Sequence, residues 1–164
     1  CSLGGEMLLL GKIAPNRAEG YQYIEDALTS GRAAECFARM VHRLGGPIDL
    51  LERPAAHLSR APVNMPAPAR ATGFVQRMAT RDIGLMIVGL GGGRRRADDQ
   101  IDPSVGLTAL VEVGQHVSNG EPLAYIHAAR AEDASWAAGL LTEAIEIGPH
   151  PVTPTPVVLD WMTP

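Results

Sequence analysis

Three glycines followed by three arginines are the residues of this sequence with the clearest capacity for chemistry. An apolar run that begins at Ile83 ends in Gly91–Gly93, and Arg94–Arg96 follow directly. A glycine-rich loop that opens a helix can cradle a phosphate, because its bare N–H groups point at the anion. Here the chain continues as Ala-Asp-Asp-Gln-Ile-Asp-Pro, which opens no convincing amphipathic helix. The pattern favours a structural loop over a nucleotide cradle. The loop residues are Gly91, Gly92, Gly93, Arg94 and Arg95.

Three aspartates, Asp98, Asp99 and Asp102, crowd close to these arginines along the chain. Paired carboxylates can perform acid–base catalysis when apolar surroundings raise the pKa of one of them. The neighbouring sequence gives no sign of such surroundings. A cluster of loop salt bridges is the better interpretation, in which Arg94 pairs with one of the aspartates.

Metal and cofactor chemistry has little support in the sequence. The five histidines are His42, His57, His116, His127 and His150. No two of them share metal-ligand spacing, and His127 is expected to pack or hydrogen-bond within a sheet. The two cysteines form no Cys-x-x-Cys pair, which fits a reducing compartment. We therefore assign no catalytic, substrate-binding or metal residue in this chain, and no cofactor.

The Asn119-Gly120 pair lies between two apolar segments and predicts a hairpin from Val113 to Ile126. Its shape is similar to the hairpins of swinging-arm carriers of biotin or lipoate. Those carriers attach the cofactor to a lysine at the hairpin tip, and the only lysine here is Lys12. A carrier function is therefore excluded.

Composition limits the class of protein. Of the 164 residues, 46% are hydrophobic, which argues against a disordered chain. The net charge of −4 argues against nucleic acid as a partner. No apolar run approaches the roughly 18 residues that a membrane span needs. We expect a cytoplasmic protein that binds neither nucleic acid nor membrane.

Helical spacing of apolar residues predicts three helices within residues 1–61. The first, up to Ile13, is apolar nearly all round and is expected to be buried. The second begins near Arg17. The third follows Gly31 and carries an inward apolar stripe that ends at Leu44.

Three prolines within residues 62–68 predict an extended linker, because proline fixes φ and removes a backbone donor. Residues 69–164 are then expected to form a domain of strands and helices. Strands are expected at 72–78, at 105–113 and at 157–161.

Two helices are expected in the same domain. The first is capped by Thr80 and runs to Leu90, with a buried strand over residues 85–90 as the alternative. The second is capped by Asp133 or Ser135. Its expected core face consists of Trp136, Leu140, Ala144 and Ile147.

Five segments carry a family resemblance. They are Thr80-Arg-Asp-Ile-Gly84, Gly91-Gly-Gly-Arg-Arg95, Ile101-Asp-Pro-Ser-Val-Gly106, Val113-Gly-Gln-His-Val117 and Pro122-Leu-Ala-Tyr-Ile-His-Ala128. They resemble the C-terminal domain of the thymidine and pyrimidine-nucleoside phosphorylases. Upstream, Gly11-Lys-Ile-Ala14, Gly31-Arg-Ala-Ala34 and Phe37-Ala-Arg-Met40 are similar too. The likeness keeps the family's order along essentially the whole chain.

The resemblance implies an α+β fold. Residues 1–61 would be a helical remnant of an α/β domain. Residues 69–164 would be the C-terminal domain, a hammerhead-like antiparallel sheet with packed helices. The resemblance also implies a pentosyltransferase that cleaves thymidine with phosphate to thymine and 2-deoxyribose 1-phosphate. The intact enzyme would be a homodimer whose partners are phosphate and a pyrimidine nucleoside.

The family's catalytic residues would lie upstream of Cys1, and the chain begins inside a helical pattern. We therefore expect an inactive C-terminal fragment. An alternative function of another class stays open, a small stand-alone anion-binding or interaction module without catalysis. In that alternative Arg94–Arg96 would contact the anion.

Overall fold

A computed structural model of the chain describes residues 1–160. These residues separate into two compact units that divide between Leu58 and Ser59. In the described part of the chain the first unit is helical, and the second contains six strands and two helices. The α+β class expected from the sequence is confirmed.

The first unit contains three helices and a short helical turn. They are α1 (Ser2–Leu10), α2 (Arg17–Thr29), α3 (Arg32–Arg43) and α4 (Pro54–His57). The side chain of Asn16 caps α2 by accepting the backbone N–H of Glu19 at 2.9 Å. Gly31, with φ of +81°, lets the chain turn from α2 into α3 without the penalty that a Cβ would bring. The expected starts of the second and third helices are confirmed.

Helices α1 and α2 meet backbone to backbone. A Cβ added to Gly20 would lie 2.5 Å from the carbonyl oxygen of Gly5. An ion pair between Arg17 and Glu6, with an N–O distance of 2.6 Å, spans the same two helices. In the first unit, the buried residues are all small: Gly5, Ala14 and Gly20.

The expected burial of the first helix is wrong. Met7 is 72% exposed and Leu10 is 76% exposed, and Leu44 at the end of α3 is 80% exposed. Helical periodicity identifies which face is apolar, but it does not supply the residues that cover that face. No described residue covers these three side chains.

The second unit contains two three-stranded antiparallel sheets. The strand order of the first sheet is β1 (Val63–Pro68), β5 (Pro122–Ala128), β3 (Gly106–Thr108). The order of the second is β4 (His116–Val117), β2 (Gly73–Met78), β6 (Ile145–Gly148). Helix α6 (Ala131–Ala144) packs on β1 and β5, and α5 (Thr80–Ile87) packs on α6. The expected strand at 72–78 is confirmed as β2.

Residues 63–68 form a strand, so the expectation of a linker there is wrong. β1 pairs with β5 along its length, from Val63 opposite Ala128 to Pro68 opposite Pro122. Ala67 is fully buried. The prolines are tolerated because β1 is an edge strand, where the missing N–H removes no ladder bond.

The Asn119-Gly120 turn forms, but it does not join the two strands of a hairpin. The N–H of Glu121 donates to the carbonyl of Ser118 at 2.9 Å, and φ is positive at Gly120 (+84°) but not at Asn119. A tight hairpin turn needs positive φ at its first central residue, and the negative-then-positive combination splays the flanking strands. Accordingly, β4 before the turn pairs with β2, and β5 after it pairs with β1 and β3.

Two other expected strands differ from the structure. The strand expected at 105–113 is only Gly106–Thr108, because Ala109 has a φ of +51°, which an extended ladder does not accommodate. Residues 149–160 form no strand, and Val157 is 97% exposed. The closing strand is therefore absent over its described part, and Trp161 lies outside the described residues.

The helix expected near Thr80 is confirmed, whereas its cap is not. α5 begins at Thr80 itself, so Ala79 holds the cap position and no side chain caps the helix. A wider π turn, Val88–Gly92, continues from its end. The alternative of a buried strand over residues 85–90 is wrong.

The expected core face of the last helix is confirmed at Ala144, which packs against the core, and is wrong for its larger members. Trp136 is 45% exposed and Leu140 is 38% exposed, and Ile147 belongs to β6. Arg130 holds the cap position instead of Asp133 or Ser135. The buried residues of α6 are Ala134, Ala137 and Leu141. Small alanines let the helix lie close to the sheet, and this turns the larger side chains outward.

The core of the second unit lies between the sheets and these two helices. Its largest fully buried side chains are Met86, Leu123, Ile126, Leu141, Val75 and Val117. Aliphatic side chains and alanines fill it, in keeping with a chain that is only 4% aromatic.

Candidate functional site

The glycine–arginine loop begins at the end of the π turn after α5. Gly91 has a φ of +99°, a left-handed conformation that favours glycine and fits the structural loop expected here. The carbonyl of Gly91 accepts the N–H of Asp102 at 3.0 Å, which closes the loop at its base. The loop is thus a turn held by its own backbone.

The aspartates of the loop bind backbone and hydroxyl groups, so the expected salt-bridge cluster is wrong. Asp99 Oδ2 accepts the backbone N–H groups of Arg95 and Arg96, each at 2.9 Å. Asp102 Oδ1 accepts the hydroxyl of Ser104 at 2.6 Å and its N–H at 2.9 Å. The hydroxyl and then the N–H of Ser104 lower the pKa of Asp102 below its ordinary value, and burial partly opposes them.

The side chains of Arg94–Arg96 are exposed. Among the described residues, none of these three guanidinium groups takes part in a side-chain hydrogen bond or an ion pair. Asp99 uses its carboxylate on the loop backbone, so it does not neutralise them through contact. The loop therefore presents three adjacent positive charges to solvent.

The histidines do not come together as a metal site. His127 Nε2 lies 2.8 Å from Thr108 Oγ1, which confirms the expected hydrogen bond within the sheet. His116 packs edge-on against Phe74, with ring centroids 5.0 Å apart. His57 Nε2 lies 2.7 Å from Asp49 Oδ1 in the first unit. Within residues 1–160 no group of three His, Cys, Asp or Glu side chains could hold a metal ion.

A cavity of about 470 Å³ lies beside the first sheet of the second unit. Its polar lining residues are Ser59, Arg60, Asn64, Ser104, Thr108 and His127. Sequence patterns did not predict this site, because the prolines around Asn64 indicated a linker and not a strand. The available signal was the recurrence of Val63, Met65 and Ala67 at every second position, since a period of two is typical of a strand.

A family profile matches the central part of the second unit. Residues 74–148 match the profile described as "Pyrimidine nucleoside phosphorylase C-terminal domain". The matched range contains nearly all of β2 and ends with the last residue of β6. It also includes α5, the glycine–arginine loop and α6.

Relatives extend the match along most of the chain. The chain is 50% identical over 147 residues to a thymidine phosphorylase of Burkholderia orbicola (strain MC0-3), which covers 90% of this chain and 34% of that protein. The chain corresponds to the C-terminal part of the pyrimidine-nucleoside phosphorylases. A thymidine phosphorylase of Agrobacterium fabrum (strain C58) is 41% identical over 162 residues, 99% of this chain and 37% of the relative. For one of Mesorhizobium japonicum the identity is 48% over 147 residues.

The phosphorylase relatives are much longer than this chain. The chain spans about a third of the length of the curated relatives that it matches, and the matched part is their C-terminal region. The first unit and β1 lie outside the profile match. No helix in the described part of the chain is long and apolar enough to cross a membrane.

Proposed function

We propose that this chain is the C-terminal part of a thymidine phosphorylase, a pentosyltransferase. The intact enzyme would cleave thymidine with phosphate, giving thymine and 2-deoxyribose 1-phosphate. A phosphate oxygen would form the new bond to C1′ of the deoxyribose, and the bond from C1′ to the base would break. The observation that carries the proposal is the 50% identity over 90% of the chain to a protein named for this activity.

The surface of the first unit supports a role as part of a larger protein. Its helices expose apolar faces that include Met7, Leu10 and Leu44. Helix faces with several exposed apolar side chains are normally covered by other parts of a protein, because exposed apolar area is costly in water. In the intact phosphorylase, the remaining two thirds of the polypeptide would supply that cover.

This chain would contribute structure rather than catalytic residues. Residues 1–61 would belong to the α/β domain and residues 69–164 to the C-terminal domain, with β1 joining the latter. The intact enzyme would bind phosphate and a pyrimidine nucleoside and would act as a cytoplasmic homodimer. It would need neither nucleic acid nor a membrane.

The alternative, a stand-alone anion-binding module, draws its support from the unpaired guanidinium groups of Arg94–Arg96. It does not account for a likeness that extends through both units of the chain. The phosphorylase assignment explains the likeness in both units.

Reconstitution tests the proposal directly. The 164-residue chain would be joined to the preceding two thirds of the Burkholderia orbicola relative and incubated with thymidine and phosphate. We expect thymine release from the chimaera. The chain alone and the relative's preceding part alone, as matched controls, are expected to release none. Turnover by the chain alone, or a folded and soluble chimaera without turnover, would contradict the proposal.

A further inference from the structure

The cavity beside the first sheet has a floor built by three neighbouring strands. Asn64 of β1 lies directly opposite His127 of β5, and His127 lies opposite Gly106 of β3. Opposed residues in antiparallel strands project from the same face of the sheet. Because Gly106 has no side chain, the third position of this row leaves space beside the imidazole.

Around this floor, Ser104, Thr108 and His127 have hydrogen-bond partners, whereas two longer donor side chains have none. Neither the guanidinium of Arg60 nor the carboxamide of Asn64 has a hydrogen-bond or ion-pair partner among the described residues. The imidazole of His127, by contrast, is held in place by its contact with Thr108. The cavity therefore combines a fixed wall with unpaired donor side chains.

The charge of the cavity is positive. No carboxylate is among the described residues that line it, and Arg60 carries a full charge at neutral pH. The acid that comes close in the chain, Asp102, uses one oxygen for both the hydroxyl and the N–H of Ser104. A positive cavity in a chain of net charge −4 does not follow from the overall composition.

The lining also limits the kind of ligand. It contains no Phe, Tyr or Trp ring, its only ring is the imidazole of His127 that is bonded to Thr108, and its one apolar member is Ala61. Guanidinium and amide donors suit the oxygens of a compact anion, and arginine binds phosphate oxygens in pairs. We propose that this cavity is a binding site for a small tetrahedral oxyanion of the phosphate type. This proposal does not rest on the phosphorylase function.

Calorimetric titration of the 164-residue chain with inorganic phosphate tests the site, with sodium acetate in parallel. We expect saturable phosphate binding and no comparable acetate binding. The variants Arg60→Ala and Asn64→Asp should each weaken phosphate binding by about tenfold or more, because one removes the cation and the other adds a like charge. Thermal melting of each variant checks that it remains folded.

Arg81→Ala is the matched control, because Arg81 is exposed on α5 and carries the same charge away from the cavity lining. Its phosphate affinity should stay within about twofold of the parent chain, since distant surface charges are screened by salt. Absence of saturable binding, equal weakening in all three variants, or acetate binding as tight as phosphate would each overturn the proposal. Thymine release by the chimaera is a separate readout, so the two proposals can fail independently.

Discussion

Single residues fix the geometry of the glycine–arginine loop. Gly91 makes the left-handed turn, and Asp99 and Asp102 then fasten the rest of the loop through backbone and hydroxyl groups. A sequence pattern of arginines and aspartates suggests ion pairs because opposite charges attract. In the structure the short aspartate side chains meet nearby N–H groups first, which is a frequent local arrangement for aspartate.

Replacing Gly91 with valine isolates the conformational cost of this turn. A Cβ on Gly91 would have no heavy atom within 4 Å, so the penalty comes from the left-handed backbone and not from crowding. We expect Gly91→Val to lower the free energy of unfolding by at least about 1–2 kcal/mol. Arg95→Val on the exposed loop surface should cost much less. Thermal melts of both variants decide the matter, and equal melting temperatures would contradict this account.

The hydroxyl of Ser104 is the largest cause of the low pKa of Asp102. Ser104→Ala should therefore raise that pKa toward its ordinary value, although the N–H of residue 104 remains. Stability from a depressed carboxyl pKa is present above the unfolded-state pKa, about 3.9, and is lost as pH falls through the folded-state value. The variant should lose that contribution at neutral pH. NMR titration of the carboxyl carbon measures the shift.

The matched control for this titration is Ser135→Ala. The hydroxyl of Ser135 donates to the carbonyl of Ala131 within α6, away from Asp102 in the chain. It should leave the Asp102 titration unchanged. If Ser104→Ala also leaves the pKa of Asp102 unchanged, a group other than the Ser104 hydroxyl lowers that pKa.

Among the elements, the α1–α2 pair depends on two glycines that no other residue type can replace without moving a helix. Gly20→Ala would place a Cβ 2.5 Å from the Gly5 carbonyl oxygen. The expected result is a destabilisation of about 1–3 kcal/mol, because overpacking outweighs the better helix propensity of alanine. Amide hydrogen exchange within α1 and α2 reports the change even where the second unit remains folded.

Gly139→Ala in α6 is the control, since a Cβ on Gly139 has no heavy atom within 4 Å. There the propensity effect acts alone, and a gain of about 0.5–1 kcal/mol is expected from a thermal melt. Destabilisation by this change, or a neutral effect of Gly20→Ala, would show that space is not what distinguishes the two glycines.

The sequence predicts where helices begin and end better than it predicts which strands pair. Asn16 and Gly31 mark helix ends through local bonds and backbone freedom, and those ends occur where expected. Sheet pairing depends on residues distant in sequence, so neither the pairing of residues 63–68 with β5 nor the separation of the strands around Asn119-Gly120 could be predicted from local patterns. The cavity around Arg60 depends on that pairing and was equally beyond prediction.

At the scale of the whole molecule, the two units differ in what they bury. The first unit buries three small residues, whereas the second has a continuous aliphatic core between its sheets and helices. We expect amides of α1–α3 to exchange with solvent at least about tenfold faster than those of β2 and β5. Hydrogen exchange measured at several protein concentrations tests this. Equal protection at the lowest concentration, where association no longer covers the apolar faces, would contradict it.

The two interleaved sheets also determine the order in which this chain can fold. Val63 pairs with Ala128, and Phe74 pairs with both His116 and Gly148, so no described strand pairs with its neighbour across a tight turn. During synthesis β1 and β2 leave the ribosome long before β5 and β6, and until then their ladder groups have no partner. Such non-local pairing places folding on the order of milliseconds to seconds rather than microseconds. The segment after Asn119 therefore decides when either sheet is completed, since it contains both β5 and β6.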